Sequence, residues 1–302
     1  MQEQGNSQGR KLLKPKSDLV FKRVFGDESN LDILRSFLGS VLDMPEGELD
    51  EIRIVDPNLR IESEDDKLFV LDLKVKTKSG MLIDIEVQLA PFPNMMGRLL
   101  SYTGRMFAEQ LRSGDRYAEV KRVVTIVVAD HALVPEAHYH NAYLLMNTVS
   151  SRALTDLLQI HTLELKKLDA EGDGTLVGNW VRFLRAEKKE EFEMAAQASP
   201  EIKKAVAVIE RLSGDEQLRA QVEARERAWR DRVDQIEGAR EEGFGQGKKE
   251  GREEGREEGR FVERIAIARQ LLSIGLAPYQ ICEATGLSQM EVEELSAELA
   301  SC

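Results

Sequence analysis

Cysteine is scarce in this chain: Cys282 and Cys302 are the two cysteines among 302 residues. Two cysteines near the C-terminus cannot build a disulfide framework, and they have no cysteine–histidine spacing that would bind zinc. The sequence also lacks a run of about 18 apolar residues, and Met1–Gly9 has no apolar stretch of a secretion signal. We therefore expect a cytoplasmic protein that makes no membrane contact.

An excess of positive charge is also missing. The formal net charge is −12, with 32% charged and 42% hydrophobic residues, which is typical of a soluble protein. Proteins that bind nucleic acid usually carry a basic surface, so this acidity counts in part against DNA as a partner. The basic residues are nevertheless clustered before and after a central hairpin. The two clusters are Lys11, Lys14, Lys16, Lys22 and Arg23, and Arg98, Arg105, Arg112, Arg116, Lys121 and Arg122.

That hairpin is the most informative local pattern. Residues 70–76 and 81–89 each alternate apolar and polar side chains, which predicts two half-buried strands joined by a turn at Lys78–Gly80. The face predicted to meet the core holds Leu71, Leu73, Val75, Met81, Ile83, Ile85 and Val87. The opposite face holds Asp72, Lys74, Asp84, Glu86 and Gln88. Carboxylates beside a lysine can bind a metal ion; the alternative is an ordinary solvent-exposed sheet face.

The turn sets which residues of the two strands lie opposite each other. A loop of three or five residues centred on Gly80 would pair Asp72 with Gln88 and Lys74 with Glu86. Glycine suits such a loop because it readily adopts the left-handed conformation. A two-residue loop at Ser79 and Gly80 would break up this group of side chains.

The surrounding segments predict a mixed α/β core. Ser17 can cap a helix that carries Asp18 and Lys22 one turn apart. Further helices are predicted at about 31–41 and 95–111. A fully buried strand is predicted at 123–128 and a short strand at 160–165, and the acidic segment 62–66 reads as a loop. The order helix, strand, strand, helix, strand is that of an α/β fold.

The C-terminal third is helical in pattern and contains a glycine repeat. Glycine recurs every fourth residue at Gly243, Gly247, Gly251, Gly255 and Gly259. On a helix these glycines form a continuous stripe that permits close approach of a second helix. The alternative is a solvated linker weakened by its glycines. We favour the helix and predict a homodimer formed through this stripe.

The last forty residues predict a small helical module. Helices are expected at 261–274, at 278–284 and from Ser288, where Glu291 completes a capping box. Two helices joined by a short turn are typical of DNA-reading modules. However, this segment is acidic, with two basic residues, Arg264 and Arg269, against six acidic ones. An acidic helix repels phosphate, so we interpret the module as a protein-contact module.

Three short motifs together resemble a known family. They are Lys16–Gly26, the pair Leu71-Asp72, and Ile85–Gln88, and the glycine-repeat tail follows them. This combination resembles the Rpn family of recombination-promoting nucleases, also described as transposases, in the PD-(D/E)XK nuclease superfamily. The resemblance implies a restriction-endonuclease-like α/β core with a mixed sheet flanked by helices, plus a long helical C-terminal extension. It also implies magnesium-dependent endonuclease cleavage of DNA phosphodiester bonds in recombination or mobile elements.

The expected domains are a nuclease domain with helical additions at 11–212, a charged glycine-repeat connector at 213–260 and a helical module at 261–302. The resemblance places Asp72 at the motif aspartate, Glu86 at the second acid and Gln88 where the superfamily usually has lysine. It also places Asp18 at the acid of the first helix and the Val87 carbonyl near the metal. Magnesium, or another divalent cation, prefers such oxygen ligands.

Because Gln88 stands at the motif-lysine position, another residue must supply the positive charge. Lys74 is the predicted replacement because the expected pairing sets it opposite Glu86. The residues expected to bind substrate are Lys22, Arg98 and Tyr102, although Arg98 and Tyr102 could be structural. Lys22 and Asp18 could also be a simple helix ion pair. Two functions therefore compete: a DNA endonuclease, and an inactive nuclease fold that serves as a binding or assembly module.

Overall fold

In a computed structural model of this chain, residues 11–44, 47–56, 72–169 and 171–300 are described. The helices are α1 (Asp18–Phe25), α2 (Leu31–Leu42), α3 (Met95–Ala108), α4 (Leu176–Arg185), α5 (Lys189–Ala195), α6 (Pro200–Ser213), α7 (Glu216–Ser273), α8 (Pro278–Thr285) and α9 (Gln289–Ala300). The strands are β1 (Ile52–Val55), β2 (Leu73–Thr77), β3 (Leu82–Gln88), β4 (Val123–Ala129), β5 (His140–Met146) and β6 (Ala153–Glu164). The chain divides into two compact units, Met1–Ala224 and Arg225–Cys302.

The described strands of the first unit form one mixed six-stranded sheet. Its order is β1-β2-β3-β4-β6-β5, with β3, β4 and β6 parallel and the other neighbours antiparallel. Parallel neighbours need a crossover connection, and α3 provides it between β3 and β4. With helices on both faces, this is the predicted α/β fold class, and the long C-terminal helix is also present.

Both faces of the central strands are covered. On one face, a large core contains the aromatic rings of Phe21, Phe25, Phe37 and Trp180, whose neighbouring centroids lie 4.5 to 5.9 Å apart. On the other face, α3 packs Leu99, Tyr102 and Met106 over β3 and β4. The middle of strand β3 is therefore buried from both sides, including the polar residues Asp84 and Glu86. The carboxyl groups of Asp84 and Glu86 are therefore largely removed from solvent.

Most predicted elements of this unit are present. Helices α1, α2 and α3, the central hairpin and the fully buried β4 confirm the sequence analysis. Strand β6 is longer than predicted, and β1 and β5 were not predicted at all. β1 has four residues, and β5 is largely exposed with irregular pairing, so neither produces a clear alternating pattern. The predicted loop at 62–66, the N-terminal segment 1–9 and Leu71 lie outside the described residues.

The pairing predicted for the hairpin is wrong by two positions. Lys74 pairs with Asp84 and Leu73 with Ile85, so Lys74 does not lie opposite Glu86. The reason is the turn: the Thr77 N–H donates to the Met81 carbonyl at 3.0 Å, which closes a three-residue loop at 78–80. Gly80 takes the last loop position, with φ +94°, rather than the centre. A shift of two positions leaves every side chain on its predicted face.

In the second unit, the end of α7 packs with α8 and α9. The buried residues of this small core are Ala268, Ile281, Leu287, Val292 and Leu295. The predicted capping box is confirmed, because the Ser288 N–H donates to Glu291 Oε2 at 2.7 Å and the Glu291 N–H donates to Ser288 Oγ at 3.3 Å. Among the described helices, none has the length and apolarity needed to cross a membrane.

Candidate active site on the central hairpin

Asp72 and Glu86 meet where β2 begins and β3 approaches its end. The Asp72 N–H donates to Glu86 Oε1 at 3.3 Å, and the Val87 N–H donates to Asp72 Oδ2 at 2.9 Å. These two hydrogen bonds hold both carboxylates at the same end of the hairpin. The proximity of Asp72 and Glu86 that the sequence predicted is therefore present.

Helix α1 adds a cation and a further acid to this pair. Lys22 Nζ lies 3.1 Å from Asp72 Oδ1 and 2.9 Å from Asp18 Oδ1. Burial disfavours the charged ammonium, but the hydrogen bonds and negative charge of Asp18 and Asp72 raise the pKa of Lys22 above its ordinary value. Lys22 therefore makes more than a local contact with Asp18 within α1, because its contact with Asp72 also joins α1 to the hairpin.

Glu86 is almost fully buried, with 1% of its surface exposed. Burial, and next the negative charge of Asp72, raise the pKa of the Glu86 carboxyl from 4.5 to about 8. The positive charges of Arg98 and Lys22 act in the opposite direction but are weaker. Without a divalent cation, Glu86 is therefore mostly protonated at neutral pH.

Gln88 and two residues of α3 complete the surroundings of Glu86. Gln88 Nε2 donates to Glu86 Oε2 at 3.4 Å, so the amide at the motif-lysine position orients the second acid. Arg98 Nε donates to the Tyr102 hydroxyl at 2.8 Å, and its guanidinium lies over the Tyr102 ring at 5.1 Å. Tyr102 is 5% exposed. The pair therefore brings a positive charge toward Glu86, with Tyr102 acting as its support.

Lys74 has a different place from the one predicted. Lys74 pairs with Asp84, which lies two residues before Glu86 on β3. The Lys74 charge acts on Asp84, whose pKa it lowers against the larger effects of burial and neighbouring acids. It lines a groove that also contains Lys76 and Lys121. Lys22 is in contact with Asp72, a predicted metal ligand, at 3.1 Å.

Asp84 is the site residue to which the sequence analysis gave no role. It is fully buried, and neither of its carboxylate oxygens has a hydrogen-bond partner among the described residues. Burial first, and then the charges of Glu86 and Asp72, raise the pKa of Asp84 well above its usual range. The alternation of β3 placed Asp84 on this face, but burial by α3 is a tertiary effect without a local signal.

The donor set suits a divalent cation of the magnesium type. Among the described residues, no three histidine, cysteine or carboxylate side chains are placed to hold a metal ion together. Magnesium, however, is often held by one or two carboxylates while water and substrate phosphates fill the other positions. Asp72 and Glu86 supply such a pair, and the raised pKa of Glu86 marks a cluster of acids that a cation would stabilise.

Comparisons with known proteins agree with this geometry. No curated protein and no solved structure matches the chain significantly. One family model, described as PD-(D/E)XK nuclease family transposase, matches residues 15–239, which include the whole sheet and both motif strands. The matched segment covers most of the chain and confirms the family that the motifs resembled. The chain therefore belongs to the PD-(D/E)XK nuclease family transposases.

Proposed function

We propose that this protein is a metal-dependent DNA endonuclease that hydrolyses phosphodiester bonds in the cytoplasm, in recombination or in the biology of mobile elements. The observation that carries the proposal is the contact between Asp72 and Glu86, made through the Asp72 N–H and Glu86 Oε1 at 3.3 Å. Family membership supports nuclease chemistry. We assign it to a nuclease domain at 11–212, followed by the connector at 213–260 and the module at 261–302.

In this proposal, Asp72 and Glu86 hold a magnesium ion, and Asp18 and the Val87 carbonyl supply further oxygens. When bound, the ion supplies Lewis acidity toward the phosphodiester. The Val87 N–H fixes the Asp72 carboxylate, and the Gln88 amide fixes Glu86, so both acids are oriented before substrate arrives. Such preorganisation lowers the cost of reaching the reactive geometry.

Two lysines are candidates to supply the positive charge of the motif lysine. Lys22 is in contact with Asp72, whereas Lys74 lies beside Asp84. We propose that Lys22 stabilises the developing phosphate charge and that Lys74 has a smaller electrostatic effect. Arg98, supported by Tyr102, is placed to contact a neighbouring phosphate.

A plasmid-nicking assay tests the proposal. Purified protein should convert supercoiled plasmid to the open circle in magnesium and not in EDTA. Lys22→Met should lower the rate by about tenfold, because it removes the ammonium in contact with Asp72, and Lys74→Met should lower it less. Nicking that persists in EDTA would contradict metal dependence. An unchanged rate for either variant would remove that lysine from the mechanism.

A second function has one observation in its favour. Lys22 Nζ bridges Asp18 and Asp72, so an ammonium already neutralises acids that a metal would use. Together with glutamine at the motif-lysine position, this arrangement would suit an inactive nuclease fold that binds DNA or assembles with partners. Magnesium-independent DNA binding without nicking by the purified wild-type protein would favour this alternative.

We also propose a homodimer formed through α7. Its repeat glycines are Gly243, Gly247, Gly251, Gly255 and Gly259, and a β-carbon at any of them would meet no atom within 4 Å in the chain itself. Light scattering should therefore find two chains per particle, and Gly251→Leu with Gly255→Leu should give monomers. Glu254→Gln serves as the control. A wild-type monomer at all concentrations would contradict the dimer.

A further inference from the structure

Two basic side chains lie directly opposite each other near the edge of the sheet. Arg53 of β1 pairs with Lys76 of β2, and both are exposed. Like charges in directly opposed positions destabilise a pair of strands. β1 is the edge strand of the described sheet, so the two exposed cations lie at its margin, where the charge of the exposed Glu51 also acts on Arg53. A bound anion would relieve this repulsion.

These side chains share the face that carries the acids of the site. Ile52 and Ile54 pack toward the large core, so Arg53 between them points to the opposite face. Lys76 pairs with Leu82, four residues before Glu86 on β3. Four strand residues span roughly 13 Å, and one DNA strand advances about 3.4 Å per nucleotide. The basic pair therefore lies about four nucleotides from the acids.

A groove continues the basic face toward a third cation. It has a volume of about 720 Å³, and Lys76 and Lys121 line it together with Gly80. A β-carbon at Gly80 would lie 3.1 Å from Lys121 Cγ, so the glycine leaves room for the lysine stem to cross the turn. The hairpin turn and the groove thus bring Lys121, which precedes β4, to the same groove as Lys76 of β2, the strand partner of Arg53.

Acidic residues also line the groove, and they limit what can enter it. They are Asp56, Glu109 and Glu119. Glu109 is held by Arg105 Nε at 3.0 Å, and the basic side chains are exposed, so phosphates would meet the cations at the rim. Because the whole chain carries a net charge of −12, binding of a polyanion must depend on such local basic surfaces.

We propose that Arg53, Lys76 and Lys121 form a phosphate-binding surface that holds duplex DNA on one side of the Asp72–Glu86 site. The inference rests on the proposed function and adds a specific binding surface to it. The three cations come from β1, β2 and the segment before β4, so the folded sheet presents them as one rigid group. Their contacts are to the phosphate backbone, and they secure position without reading sequence.

Fluorescence anisotropy with a labelled DNA duplex in EDTA tests this surface without cleavage. Each phosphate contact contributes a slope of about −0.9 to the dependence of log affinity on log salt concentration. We therefore expect Arg53→Gln with Lys76→Gln, in the full chain, to reduce the slope by about two and Lys121→Gln by about one. The matched control is Lys189→Gln with Lys203→Gln, which removes two exposed charges elsewhere and should leave the slope unchanged. Arg53→Lys with Lys76→Arg should retain wild-type binding.

The outcomes separate this inference from the proposed nuclease activity. If wild-type protein binds the duplex and nicks plasmid, but the double glutamine variant keeps the wild-type slope, the surface is wrong and the nuclease proposal stands. If the double glutamine variant shows the expected reduction in salt dependence while wild-type protein fails to nick plasmid, the binding surface is supported and the proposed hydrolysis is contradicted. Wild-type protein that neither binds nor nicks DNA would overturn both.

Discussion

Replacing Asp72 by Ala is expected to reduce magnesium-dependent plasmid nicking at least about a hundredfold, since changes even to the partners of metal ligands cost 10- to 100-fold. Asp72 is a proposed ligand, it contacts the ammonium of Lys22, and its backbone orients Glu86. Loss of its carboxylate therefore removes one anchor for the metal and leaves Lys22 without its partner on the hairpin. Initial nicking rates at saturating magnesium measure the effect.

Two further variants identify what the loss means. Asp72→Asn keeps an oxygen that can accept the Val87 N–H but removes the charge, so an equally large loss would assign the effect to the charge. Asp169→Ala removes an exposed carboxylate elsewhere and should nick at the wild-type rate. Equal nicking by Asp72→Ala and wild-type protein would indicate a contaminating nuclease and would defeat the enzyme proposal.

The sequence predicted which side chains share the face of the site, because alternation in a strand has a fixed period of two. The core residues Leu73 and Ile85 point one way, and Asp72 and Glu86 lie on the other side as expected. The exact pairing was missed by two positions. A loop centred on Ser79, as observed, and one centred on Gly80 keep the same faces, so the local sequence does not distinguish the two pairings.

The contacts that decide the chemistry are long-range and could not be read locally. Lys22 belongs to α1, yet it reaches Asp72, fifty positions later in the chain. The burial of Asp84 and Glu86 depends on α3, which covers the polar face of β3 that alternation alone predicts to be half-exposed. The sequence therefore yielded the proposed ligands, while the raised pKa of Glu86 follows from the packing of a helix that comes later in the chain.

That packing predicts an unusual dependence of stability on pH. In the unfolded chain, Glu86 ionises near its ordinary pKa of 4.5, whereas in the folded protein it keeps its proton up to about pH 8. Between these values the folded state binds more protons, so the contribution of Glu86 to stability is complete below pH 4.5 and is lost as pH rises through 8. At ~1.4 kcal/mol per pH unit between 4.5 and about 8, this loss is on the order of 5 kcal/mol. Asp84 acts in the same direction.

Urea unfolding of the metal-free protein from pH 5 to 9 measures this effect. Burial and the neighbouring His140 lower the pKa of His161 to about 4. The contribution of His161 to stability therefore increases as pH rises from 4 to 6.5, and it partly hides the loss caused by Glu86. Comparison with Glu86→Gln cancels that contribution, because both proteins keep His161. The variant should gain stability relative to wild-type protein as pH rises, while Glu210→Gln, an exposed change, should follow the wild-type curve.

Magnesium adds an independent measurement of the same linkage. Because a metal ligand must be deprotonated, magnesium binding at pH 7 should release close to one proton from Glu86 in wild-type protein and restore stability. Glu86→Gln should release none, which calorimetry in buffers of different ionisation enthalpy detects. A free energy of unfolding for Glu86→Gln that runs parallel to the wild-type curve from pH 5 to 9 would mean that Glu86 ionises normally in the folded protein. Glu86 would then need no cation to ionise beside Asp72, and the electrostatic argument for a metal at this site would fail.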